Sequence, residues 1–526
     1  MESRNYSLIS SYINIALYIF TVICTSACEI MPSIDKLPIH EALEIRAFIC
    51  LTDASSNLCN GSSNSTESEV SLSPVTGLTA TPSSIFVRLQ WTNSTEPSVS
   101  GVKILRKLGA FPESANDASA TEVYTGSNSE FLDSGLTSST SYFYSVYSTN
   151  TAGAFSQASQ VTTTTNASGG IDPSFNQGTG AIGGAILSAI LQPDEKIVVG
   201  GDFTTYNGVS RSRVARILVD GALDTSFDPG TGTNSRASAL DITSDGKIYI
   251  GDNFTLYNGV TRNGLARLLP NGDLDLTFDP LLGPDNRIRA AGLQSNGKLI
   301  IGGMFLNYNG TPVNRIARVN TDGSIDPTFM IGTGANALIR DIYVMPDDKI
   351  WISGDFNSFN GSAKPYINRL MPDGSNDPSF TPGGGPNSTV TSQCFLSDGS
   401  SIISGIFNTV SGTPRLNLAK LTPNGALDPS FDPGTGLGGS TFINCLELPD
   451  KTIFGVGTFT TYNGQTRNRV VKILPSGAID PSFNPISGAS GEVARVFFTS
   501  TGKLVITGSL TSYDGATVNR ITRIFP

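Results

Sequence analysis

The side chains able to do chemistry in this 526-residue chain are few, and most of them recur at a fixed interval. An aspartate stands at Asp172, Asp224, Asp275, Asp326, Asp377, Asp428 and Asp480, and a basic residue at Arg216, Arg267, Arg318, Arg369, Lys420, Lys472 and Arg523. A carboxylate beside a cation can move a proton or hold a ligand. A catalytic centre needs one such constellation, however, and sevenfold recurrence points instead to a building role, as an ion pair or turn cap that fixes one strand against the next. Glu447 and Glu492 are the glutamates of the later repeats that stand outside the pattern. A glycosidase would need two unrepeated carboxylates converging on one bond, but that role is not assigned to them, and no catalytic residue is expected.

Other chemistries are excluded by type or by context. The single histidine, His40, lies upstream of every recognisable domain, which removes most general-base mechanisms and most zinc sites from the folded part. The alternating Asp/Asn loop of a calcium site is missing, so no metal is expected. Gly178, Gly180 and Gly183, and again Gly434, Gly436 and Gly439, match a dinucleotide fingerprint by letter. Neither set opens a helix, so the nucleotide reading fails and no cofactor is expected. Cys394 and Cys445 each follow a repeated phenylalanine by 14 residues and read as equivalent positions of neighbouring units. Buried thiols are expected there in preference to a disulfide, which needs Cα atoms within roughly 7 Å.

The elements that must carry these residues are strands. Fifty-six glycines among many Ser, Thr and Asn favour turns and short strands over long helices, and 38% apolar content is ample for real cores. The formal net charge of −10 argues against a nucleic-acid surface, which needs a clustered positive field. At the start, the apolar run Ile13 to Cys24 is too short for a comfortable span and reads as an export signal. Thr25-Ser26-Ala27 followed by Cys28 resembles the lipobox of bacterial lipoproteins, with Thr25 where the usual leucine stands, and this implies acylation at Cys28. Export implies an oxidising compartment, so a disulfide between Cys50 and Cys59 is expected. Residues 29–70, which end in a Ser/Asn/Thr-rich tract, read as a flexible tether after the 1–28 signal.

Residues 71–166 change to short alternating strands, such as Phe86 to Trp91, Gly101 to Arg106 and Tyr142 to Tyr147. The order Pro74, Leu78, Trp91, Leu136, Tyr142, Tyr144, Asn150, Gly153 is similar to fibronectin type III domains. The resemblance implies a sandwich with Trp91 in its core and a tyrosine corner built by Leu136 and Tyr142. It is expected to act as a spacer.

Residues 167–526 are periodic. Asp-Pro-Ser-Phe-like segments end at Phe175, Phe227, Phe278, Phe329, Phe380, Phe431 and Phe483, and a tight-turn pair such as Asn207-Gly208 or Asn258-Gly259 recurs as often. Within one unit, Ala237 to Thr243, Lys247 to Phe254, Gly264 to Leu269 and Leu274 to Phe278 make four antiparallel strands, which is one propeller blade. Ile171 to Phe175 precedes the first full hairpin, and the chain stops at Arg523-Ile524-Phe525-Pro526 without an outer strand. The first segment should therefore complete the last blade. These repeats resemble the delta-60 repeat family of bacterial β-propellers, which implies an exported setting and no reaction. The expected architecture is all-β: a fibronectin type III-like sandwich followed by a seven-bladed β-propeller of four-stranded blades. The expected function is a non-enzymatic binding or scaffold module for protein or glycan partners, lipid-anchored to the outer membrane or cell surface. A carbohydrate-active hydrolase or lyase with its site at the channel mouth is the alternative.

Overall fold

The computed structural model describes residues 72–438 and 440–526. The export segment, Cys28, His40, Cys50, Cys59, the tether and Gly439 lie outside the described residues. Every helix or strand among the described residues is a strand.

The first domain is a sandwich of two sheets. Strands Thr76–Pro82, Phe86–Thr92 and Glu130–Ser134 form one, and Thr121–Gly126, Gly101–Leu108, Ser141–Thr149 and Ser159–Thr164 form the other, in those spatial orders. Alternation explains the assignment: along Phe86–Thr92 the residues Val87, Leu89 and Trp91 are buried while Gln90 and Thr92 face water. Trp91 sits in the core with Val102, Ile104, Leu136 and Tyr144. The Thr137 N–H donates to the Tyr142 hydroxyl at 2.9 Å, which is the expected tyrosine corner.

Seven blades follow, arranged as a closed propeller. Each has an inner, a middle and a third strand, as in Ala237–Ile242, Ile248–Asp252 and Leu265–Leu268 of the second blade. The middle strands are buried along their whole length, because neighbouring blades cover both faces, and so read as continuous apolar runs. The fourth strand is a short edge segment joined by one bridge pair, Leu268 with Leu274 in the second blade. In the seventh blade that pair is Ile171 with Ile524, and the Asp172 N–H donates to the Arg523 carbonyl at 2.8 Å. The start of the ring thus completes its end, and no blade is left with an unpaired edge at the seam.

The sandwich is built into this seam and is not a free spacer. Ile85 and Phe86 are buried in one cluster with Val496, Leu504 and Ile524 of the seventh blade. The Phe86 and Phe498 rings meet edge to face at 5.7 Å. Ser83 and Ser84 donate their hydroxyls to the Gly502 and Pro526 carbonyls, and Arg88 Nε donates to the Ser500 carbonyl at 3.1 Å.

Candidate functional site

The recurrent residues account for one another. In the third blade Arg318 Nε lies 2.7 Å from Asp326 Oδ2, one guanidinium N–H donates to the Thr328 hydroxyl, and another to the Pro372 carbonyl of the next blade at 2.7 Å. Asp326 Oδ1 accepts from the backbone and hydroxyl of Thr328, closing the turn, and Phe329 lies under the guanidinium at 4.9 Å. The same set holds at Arg216, Arg267, Arg369 and Arg523, the last reaching across the seam to Asp172. Burial opposes ionisation of these aspartates, but the turn hydroxyls and the cations outweigh it and hold Asp172, Asp224 and Asp377 down at about 2.

Two blades solve the problem differently. Where the basic residue is Lys420 or Lys472, its single ammonium bridges Asp398 to Asp428 and Asp450 to Asp480. The lysine that begins the middle strand elsewhere, at Lys196, Lys247, Lys298, Lys349 and Lys503, is then Ser400 or Thr452. The exchange keeps a buried aspartate paired in each case. The tight-turn residue is equally structural: Asn207, Asn258, Asn309 and Asn463 adopt positive φ, and each accepts a backbone N–H from the preceding Gly-rich loop. Gly178, Gly180, Gly434 and Gly436 of the dinucleotide-like sets belong to those loops.

The repetition breaks along the axis. The inner strands of all seven blades enclose a channel of about 660 Å³. In six blades a β-bulge skips one inner-strand residue, at Leu187, Arg289, Arg340, Thr391, Ile443 and Ala494. Every one of these lines the channel. A bulge leaves its residue out of the ladder and re-aims its side chain, so here a repeated backbone device presents unlike side chains to a common space.

The second blade departs further. At the end of the middle strand six blades carry glycine, and a Cβ there would collide with the carbonyl oxygen of the residue that precedes the inner strand, Ala185 at Gly201 and Arg287 at Gly303. The second blade has Asp252, with φ 140° and a side chain that is 1% exposed. Its pairing runs straight through Ser238, and the bulge moves to between Ala239 and Asp241. Such a backbone conformation costs about 1–3 kcal/mol and persists only where surroundings enforce it. The carboxylate is held by Arg287, Nε at 2.5 Å and a terminal N–H at 2.9 Å, and by the Ser238 hydroxyl at 3.1 Å. Burial raises its pKa, and Arg287 pulls it back.

Five arginines reach this channel. Arg236 forks onto Asp202 (2.6 Å), Arg287 onto Asp252, and Arg340 onto Asp355 (2.7 Å). Arg289 makes no hydrogen bond or ion pair among the described residues, and Arg495 donates only to the Ala494 carbonyl at 2.8 Å. Desolvation by the channel wall lowers the pKa of both, although the Arg289 side chain keeps its contact with solvent. Asp341 faces them with its pKa raised by burial, while its oxygens accept the Ile342 and Gln393 N–H groups at 3.0 Å.

Glu447 and Glu492 are not brought together. Glu492 lines the channel, whereas Glu447 lines a separate cleft with Lys420 and Lys451 and accepts the Ser397 N–H at 2.9 Å. The expectation of buried thiols is overturned: Cys394 and Cys445 form a disulfide, their Cα atoms 5.7 Å apart. The reason is a one-residue offset. Cys394 pairs with Ile402, but Cys445 pairs with Gly455, whose counterpart is Ile403. Equivalent positions would point the same way round the ring; the offset turns one side chain over, so that the two meet in one gap.

Among the described residues no cluster of three or more His, Cys, Asp or Glu side chains could hold a metal. No curated protein matches the chain. Solved structures match a part of it. These include a redesigned β-sandwich protein, at 20% identity and TM-score 0.16, covering 18% of this chain and 91% of that one. The FN1–FN3 domains of chicken CNTN1 match at 25% identity and TM-score 0.16, covering 18% of this chain, which spans only 31% of theirs. An Fn3-like protein from Clostridium thermocellum matches at 18% identity and TM-score 0.14, covering 17% and 88%. The ring matches, in seven segments at residues 192–227, 243–278, 294–329, 346–380, 396–431, 448–483 and 499–526, the family described as "Domain of unknown function (DUF5122) beta-propeller", and residues 192–526 carry the repeats of that β-propeller family.

Proposed function

We propose that this protein is an exported binding module, acylated at Cys28 and held at the outer membrane or cell surface, whose propeller takes a protein or glycan partner at its central channel. One observation carries the binding site. Side chains that build the blades repeat from unit to unit, whereas those that line the channel differ in nearly every blade, from Leu187 through Arg289 to Thr391. A purely structural axis would need no such variety, and a strained Asp252 would have no use there. The delta-60 resemblance and the lipobox-like segment support the exported setting, and no partner is named by either.

A glycan and matrix-protein array probed with the protein tests this reading, with turnover followed on any glycan that binds. Saturable binding without turnover is expected. Turnover would move the protein to the hydrolase or lyase class, and the absence of binding to every glycan and protein would overturn the proposal. Protease shaving of whole cells checks display: protection until lysis would contradict a surface position.

A further inference from the structure

The channel's charges are not balanced pair by pair. Three of its arginines are each neutralised by a carboxylate of their own. Arg289 is the bulged residue of the third blade, directed inward by the backbone and solvent-accessible in the channel. It stands within Coulombic reach of Arg287, Arg340 and Arg495, which disfavour its charge, and of Asp252, which favours it but is already paired with Arg287. Arg495, from the seventh blade, projects into the same space. Asp341, a carboxylate within Coulombic reach of both arginines, spends its oxygens on two backbone N–H groups. Arginines gathered with no carboxylate in direct contact with Arg289 or Arg495 raise the energy of the empty channel, and an incoming anion relieves it.

We propose that the channel binds a ligand bearing an oxyanion, a carboxylate or phosphate seated between Arg289 and Arg495. The inference rests on the reading of the channel as the binding site and adds the chemical class of its ligand. A guanidinium presents a planar fork of N–H donors that matches such groups two bonds at a time, and unlike an ammonium it stays charged when partly desolvated. The volume of about 660 Å³ suits a ligand of sugar-acid or sugar-phosphate size. Tyr343, 38% exposed and stacked on Phe395 at 3.9 Å, offers an aromatic face in the same channel for the ring that carries the anion. Glu492 is the one opposing charge left without a hydrogen bond of its own side chain, and it lies within reach of Arg495 and Arg236.

Calorimetric titration of the whole protein with glucuronate, glucose 6-phosphate and uncharged glucose tests the proposal and separates carboxylate from phosphate. At least one charged probe is expected to bind at least tenfold more tightly than glucose. Arg289→Gln is expected to weaken that probe at least tenfold without lowering the melting temperature, since Arg289 has no partner to lose. Glu492→Gln is expected to tighten it, because a competing negative charge is removed. Glucose binding as tightly as the charged probes, no binding of either charged probe, or full affinity in Arg289→Gln would each overturn the oxyanion assignment. A neutral partner captured on the array and blocked by a Tyr343→Ala change would leave the channel as the binding site while this inference falls.

Discussion

Replacing Arg523 by Met should loosen the seam of the ring and nothing else. The change deletes three contacts: Nε to Asp172 Oδ2 at 2.6 Å, one N–H to the Val219 carbonyl at 2.5 Å and one to the Ser174 hydroxyl at 2.9 Å. Breaking a buried pair costs about 3–5 kcal/mol when the surviving charge is orphaned. Asp172 is not orphaned here, because Lys503 remains 2.8 Å from the same oxygen and Ser174 still donates to the other. The expected loss is therefore about 2–3 kcal/mol, a factor of about 30 to 150 in the opening equilibrium. Backbone bonds across the seam, from Gly169 to the Phe525 carbonyl and from Phe525 to the Gly170 carbonyl, carry the readout. Their amides, with that of Asp172, should exchange with deuterium about a hundredfold faster. Arg318→Met is the control: it breaks the equivalent contacts away from the seam, its aspartate partner lying only eight residues on, and should leave the seam amides protected. Unchanged protection in Arg523→Met, or equal loosening by Arg318→Met, would refute the account of the clasp.

Two further perturbations follow from named groups. The seven blade aspartates all have depressed pKa values, so their stabilisation is complete above the unfolded carboxylate value near 4 and is lost as pH falls below it, through about 2 for Asp172, Asp224 and Asp377. Asp241, Asp252 and Asp341 are raised by burial and act with the opposite sign, but they are three against seven. The melting temperature should be flat down to about pH 5 and fall steeply below 4; a loss that begins above pH 5 would contradict this. Reducing the Cys394–Cys445 disulfide, which closes a 51-residue loop, should cost about 4 kcal/mol on the chain-entropy account. Urea unfolding with and without reductant measures it, with Cys394→Ala/Cys445→Ala as the permanently open form; coincident midpoints, or two thiols alkylated without reduction, would remove the disulfide.

What could be read without coordinates was whatever repeats. Seven aspartates, seven turn pairs and an unmatched first segment lead to blades, hairpins and the clasp, because each reports a local hydrogen-bonding need that its neighbours share. The bulges were not legible. Arg289 and Arg340 differ little in type from the arginines that brace the blades, and only the register places them on the axis. The disulfide was hidden for a related reason: counting 14 residues from each phenylalanine ignored one extra residue in the loop before Phe442, and in a strand one residue reverses a side chain. Asp252 did leave a trace, as the single acidic residue in a column of glycines.

The repeats also separate what the ring must keep from what it is free to change. Exchanging arginine for lysine at Lys420 and Lys472 is accompanied by loss of the middle-strand lysine in both blades. The blade aspartate tolerates a different cation but not the absence of one, and a lone lysine takes the place that an arginine and a middle-strand lysine share elsewhere. That linked change marks a position held by packing and charge. No such linkage governs the bulge residues, where an apolar, a cationic or a hydroxyl side chain is borne on one backbone device without disturbing the blade behind it. The fold therefore confines its constraints to the gaps between blades and leaves the axis open to variation, and in this chain that freedom has gathered five arginines there, two of them without a carboxylate in direct contact.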